Sequence, residues 1–137
     1  MRVLLVLLAI LGFSAPASAF SDADRTAIQS TIEQQLQAFL QDDGATAYSF
    51  AAPNIKAMYP SVDAFMAMVR QGYPQVYRPR SHSFGELTEE PGNLTQSVDI
   101  VDAEGAYWTA VYTLRQEADG TWKITGCYLV KKPGEVA

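Results

Sequence analysis

The sequence predicts an α+β fold, with three N-terminal helices packed on one side of a curved antiparallel sheet of about four strands. Two observations carry this. Before Pro79 the apolar residues recur at three- and four-residue steps, the period of an amphipathic helix, and after it they alternate at a period of two. Short stretches of turn chemistry join the period-two segments, which makes consecutive strands antiparallel neighbours.

The chain starts with a segment that belongs to no fold. Arg2 leads into an almost wholly apolar run from Val3 to Phe13, and Ala17-Ser18-Ala19 follows as a small-x-small cleavage site. The apolar run is shorter than the roughly 20 residues that span a bilayer, so the pattern is that of a secretory signal peptide. Residues 1–19 are therefore expected to be removed, leaving 20–137 as a single domain in the periplasm or extracellular space with no membrane span. No cysteine follows the cleavage site and no twin arginine precedes it, so the expected product is unlipidated and exported unfolded, without a preloaded cofactor.

From Ser21 to Gln41, the residues Ile28, Ile32, Leu36, Phe39 and Leu40 form one apolar stripe, with Asp22 or Asp24 near its start as a cap. Gly44 supplies a break. Asp42 and Asp43 would oppose the negative end of that helix, and fit better as the N-cap region of a second, short helix through Ala47, Tyr48 and Phe50. Pro53 ends that piece or starts a brief turn from Lys56 to Tyr59. Pro60-Ser61 then opens a third helix whose buried side is Val62, Phe65, Met66, Val69 and Tyr73, extending to Val76 and Tyr77, and Gly72 and Pro74 break or kink its last turn.

The strands are expected over Arg80–Leu87, Thr95–Val101, Tyr107–Arg115 and Trp122–Val130. Turns fall at Glu90-Pro91-Gly92-Asn93, Asp102-Ala103-Glu104-Gly105 and Ala118-Asp119-Gly120. Strict alternation puts Trp108, Ala110, Tyr112 and Leu114 on one face of the third strand. It puts Trp122, Ile124, Gly126, Tyr128 and Val130 on one face of the fourth. Those faces need cover, and the helices supply it.

Composition excludes several classes of partner. The net charge of −5 becomes −6 once Arg2 is cleaved off, and an acidic surface repels nucleic acid and anionic lipid. Cys127 is the one cysteine, so no internal disulfide forms, and with His82 as the one histidine no structural zinc site is expected. No metal or cofactor is expected.

Several segments resemble a family of exported bacterial proteins known only as a domain of unknown function. They are Asp42-Asp43-Gly44 with Ala47-Tyr48-Ser49-Phe50-Ala51, Ala64-Phe65-Met66-Ala67-Met68-Val69, and Gly72-Tyr73-Pro74 with Val76-Tyr77-Arg78-Pro79-Arg80. Phe84-Gly85-Glu86-Leu87, Trp108-Thr109-Ala110 and Asp119-Gly120-Thr121-Trp122-Lys123-Ile124 with Gly126-Cys127 complete the set. The order of elements is also similar to the cone of nuclear transport factor 2-like and ketosteroid isomerase-like proteins. That resemblance implies a fold. It brings no catalytic residues, and the wider superfamily holds enzymes, binding proteins and assembly domains.

Candidate site residues follow from the faces. Trp108, Tyr112, Trp122 and Tyr128 are expected to line a pocket under the sheet, opposite Phe50 and Phe65. Tyr73, Tyr77, Arg78 and Arg80 cluster around Pro74 and Pro79, where the arginines either grip an anionic ligand or tie the helix-to-strand corner to helix-end carbonyls or to Asp42 and Asp43. Arg80, His82, Phe84 and Glu86 share one face of the first strand, so His82 tuned by Glu86 is the one constellation able to act as acid and base. The alternative is an edge strand with solvated charges. Cys127 is expected to face away from the pocket, and Gly126 to mark a bulge, a ring contact or a ligand.

Two function classes lead. One is a non-catalytic module that holds a small apolar or anionic ligand or joins a partner. The other is a cofactor-free enzyme of the ketosteroid isomerase-like type using His82, Glu86 and a tyrosine. The outward faces of the last two strands, read as Thr109, Val111, Thr113, Thr125, Cys127 and Leu129, suit a homodimer through the sheet.

Overall fold

A computed structural model describes residues 21–90 and 93–133. The expected signal peptide, the start at Phe20 and the Pro91-Gly92 turn lie outside the described residues.

Helix α1 (Asp22–Leu40) opens on a capping box, in which the Ser21 hydroxyl accepts from the Asp24 N–H and the Asp24 carboxylate accepts from the Ser21 N–H. Its buried stripe is Ile28, Thr31, Ile32, Gln35, Leu36 and Phe39, while Leu40 is exposed rather than part of it. The helix ends in a Schellman motif. Asp42 takes a left-handed φ of 53°, its N–H donates to the Phe39 carbonyl, and the Asp43 N–H donates to Ala38.

Asp43 then caps α2 (Gly44–Ser49) through the Thr46 N–H, as its position suggested. Gly44 is the first residue of that helix rather than a break. A Cβ there would lie 2.8 Å from Val62 Cγ1 and 2.9 Å from Met66 Cγ, so glycine allows α2 to approach α4 (Val62–Gly72) closely. Pro53 opens α3 (Pro53–Met58) and Pro74 opens α5 (Pro74–Tyr77), giving five helical pieces among the described residues where three were expected. Both prolines stand in the first turn, where the missing N–H has no intrahelical partner to lose.

Strands β1 (Ser81–Glu90), β2 (Asn93–Val101), β3 (Tyr107–Gln116) and β4 (Trp122–Lys131) form an antiparallel meander in that order. The helices cover one face of the sheet. Ile28, Ile32, Leu36 and Phe39 meet Val98, Ile100, Ala110 and Tyr112 in a core sealed by Phe65, Met66 and Val69.

Two bulges break strict alternation, and both move candidate site residues. In β1 the register shifts between Phe84 and Leu87, which pair with Val98 and Gln96. In β4 Gly126 pairs with Thr113 and Ile124 with Leu114, so Thr125 has no partner on β3. One extra residue flips every side chain beyond it. Cys127 and Leu129 therefore turn inward, opposite Tyr112 and Ala110, and Tyr128 and Val130 turn outward with exposures of 57% and 48%. The expected inward face of β4 is right for Trp122 and Ile124 and reversed for Tyr128 and Val130.

Each bulge has a fastening. The fully buried Gln96 amide donates to the carbonyls of Gly85, Glu86 and Ser97, and its oxygen accepts from Gln29 on α1. At β4 the Ala52 N–H donates to the Ile124 carbonyl, the Ile124 N–H donates to Phe50, and the Asn54 amide donates to the Thr125 carbonyl. The chain between α2 and α3 thus covers part of an open sheet edge.

Candidate functional site

The β4 bulge and the short helices α3 and α5 create a cavity of about 270 Å³ between the sheet and α1, α3, α4 and α5. Its inner wall is made by buried residues: Phe39, Phe65, Val69, Val76, Tyr112 and Ile124. Its outer wall is α3, where Asn54 and Met58 are exposed and Ile55 is half-buried. Among the described residues no Asp, Glu, His, Lys or Arg lines it.

Its polar groups are few, and most are engaged. Gln35 donates to the Ala47 carbonyl at 3.1 Å, holding α1 to α2. Tyr73 Oη donates to the Cys127 carbonyl at 3.1 Å, holding the end of α4 to β4. Tyr112 is different. The residue is 1% exposed, and its hydroxyl meets no oxygen or nitrogen acceptor among the described residues, with only the weakly accepting Cys127 sulfur beside it.

Burial sets the ionisation of the wall. It pushes the Tyr112 phenol well above its ordinary value and also raises Tyr73. It pushes the Cys127 thiol up to about 12. All three are therefore neutral donors at physiological pH, and Cys127 is not a thiolate nucleophile there.

A family model described as "Domain of unknown function (DUF4864)" matches residues 21–137. The chain belongs to that family. No curated protein matches it. It is also similar to the crystal structure of an NTF-2 like protein of unknown function from Silicibacter pomeroyi DSS-3. The TM-score is 0.56 and the identity 14%, and the match covers 82% of this chain and 100% of that one. The DUF4864 chain thus has a nuclear transport factor 2-like α+β fold.

Within that fold the candidate residues separate. Of the expected pocket set, Tyr112 and Phe65 stand in the cavity wall. Tyr128 faces out, for the reason given by the bulge. Trp108 and Trp122 are half-buried against the core near opposite ends of β3, and Phe50 packs beside the core without reaching the cavity. Trp108 Nε1 donates to Asp102 at 2.9 Å.

His82 and Glu86 are not brought together. The β1 bulge intervenes, Glu86 is exposed, and His82 Nε2 lies 2.5 Å from Glu33 Oε2 on α1. Neither lines the 270 Å³ cavity.

Tyr73 lines the cavity, but the rest of the arginine cluster holds the corner. Arg78 donates to the Phe39 carbonyl and pairs with Asp42 at 2.9 Å, while its guanidinium stacks 4.1 Å from the Tyr77 ring. Tyr77 Oη also donates to Asp42. Arg80 donates to the Ala103 carbonyl at 3.0 Å in the β2–β3 connection.

Gln35, Asn54, Ile55, Met58, Tyr59, Met68 and Cys127 were missed as wall residues. Gly126 was the available signal. Added to Pro53 read as a helix start, it would have indicated a bulge facing α3.

Proposed function

We propose that this chain is an exported, non-catalytic module that holds a small, neutral, largely apolar molecule between its sheet and helices. The observation that carries this is the wall itself: mostly aromatic and aliphatic side chains, with a few neutral polar ones and no charged group among the described residues. An apolar cavity of about 150 Å³ in another protein stays dry and binds benzene, so 270 Å³ suits a bicyclic molecule. An anionic ligand is disfavoured, because its charge would lose water without gaining a cation. The sequence features of residues 1–19 support export, and the family match begins just after them, at residue 21.

The acid/base alternative has weaker support. His82 lines a separate recess with Asp99 and Lys132 and is paired there with Glu33, and among the described residues no side chain lining the 270 Å³ cavity can serve as a base at neutral pH. Self-association through the sheet is part of the proposal, on a corrected face. Tyr107, Tyr128 and Val130 are exposed on the outward side of β3 and β4, beside Thr109 and Val111.

Naphthalene titrated into methyl-labelled protein tests the binding reading. Saturable shifts concentrated on Ile55, Val69, Val76 and Ile124 are expected. Shifts confined to Val111 and Val130, or none up to the solubility limit, would count against the cavity.

A further inference from the structure

We propose that Tyr112 selects ligands bearing a hydrogen-bond acceptor, so that the preferred occupant is a neutral bicyclic-sized molecule with a ketone, aldehyde, ester or amide carbonyl at its inner end. This rests on the ligand-binding reading above and narrows it.

The reason is an unpaired proton. Tyr112 lies on β3, buried in the wall, and its hydroxyl has no oxygen or nitrogen acceptor among the described residues. Buried polar groups are almost always paired, and leaving a donor unmatched is costly. The nearby groups relieve it only weakly. The Cys127 carbonyl accepts from Tyr73, and the Gln35 amide nitrogen donates to the Ala47 carbonyl. Cys127, directly opposite on β4, takes the phenol proton only through a weakly accepting sulfur, which a ligand oxygen would outcompete.

What the phenol lacks is an acceptor. Burial keeps its proton on at all physiological pH values, so a ligand that only donates would leave that proton unmatched. A carboxylate would accept, but no cation lines the wall to balance it. A carbonyl oxygen meets both conditions. Because no side chain in the wall acts as a base at neutral pH, the carbonyl is held rather than enolised.

The test compares two ligands of nearly the same shape, 2-acetylnaphthalene and 2-isopropylnaphthalene, by calorimetry on wild type and Tyr112→Phe. Wild type should bind the ketone about tenfold more tightly, the value of roughly one good hydrogen bond to a buried donor. In Tyr112→Phe the ratio of the two affinities should fall to about one. The infrared carbonyl stretch of the bound ketone should lie lower in wild type than in the variant, which distinguishes a direct hydrogen bond from an altered wall. If wild type binds both ligands equally, the cavity reading stands and the selection by Tyr112 is wrong. If neither ligand binds up to its solubility limit, both are wrong.

Discussion

Tyr112 on β3 and Cys127 on β4 stand opposite each other and both face the cavity, because Thr125 is the one residue of β4 without a partner on β3. Without that extra residue Cys127 would point outward and Tyr128 would fill the space. The cavity, its thiol and its unpaired phenol thus share one local cause.

The state of the Tyr112 hydroxyl has a consequence for stability. Replacing a buried tyrosine by phenylalanine ordinarily removes a hydrogen bond worth about 1 kcal/mol. Tyr73→Phe should show that loss, since its hydroxyl donates to the Cys127 carbonyl. Tyr112→Phe should be neutral or stabilising. Urea midpoints of the two variants check the contrast, and equal losses would mean that Tyr112 Oη has a partner in solution.

Cys127 should react slowly. With its thiol pushed up to about 12, little thiolate exists at pH 8, and alkylation by iodoacetamide should be far slower than in the denatured chain. The folded value exceeds the unfolded one of about 8.5. The stabilisation from keeping the thiol neutral is therefore fully present below pH 8.5 and is lost as pH rises towards 12. Cys127→Ala should flatten that alkaline decline, and an unchanged pH profile would contradict the burial.

Gln96 fastens the β1 bulge and should matter more than a polar residue in a strand usually does. Gln96→Leu removes the donor to Gly85, Glu86 and Ser97 and the acceptor for Gln29. A loss of about 1–3 kcal/mol in chemical denaturation is expected. A change under about 0.5 kcal/mol would show that water replaces the amide at no cost.

Much of the fold was legible in the sequence because it depends on periodicity and turn chemistry. The stripe of α1, the Asp43 cap and four strands in meander order all follow from residue spacing. What failed was parity. Alternation places Tyr128 inward and Cys127 outward unless a bulge intervenes, and a bulge is one residue in a register that only pairing reveals. The β1 bulge likewise separated Glu86 from His82, and it needed Gln96, a polar residue at a core position. Pro53 and Pro74 were ambiguous for another reason, since a proline that stops one helix also suits the first turn of the next.

The outward face corrected by the β4 bulge leads to a separate expectation. If the exposed side chains of Tyr107, Tyr128 and Val130 pair two copies, sedimentation should show a dimer that Tyr128→Asp converts to monomer without loss of helical signal. A wild-type monomer at high protein concentration would exclude pairing through the sheet.

The most direct measurement for the central claim is a crystal structure of the protein grown with 2-acetylnaphthalene. Density for the bicyclic ring is expected between Phe39, Val69 and Ile124, with the ketone oxygen in hydrogen-bond reach of Tyr112 Oη. A cavity whose walls have closed on each other, or a ligand found only on the outer face of the sheet, would contradict it.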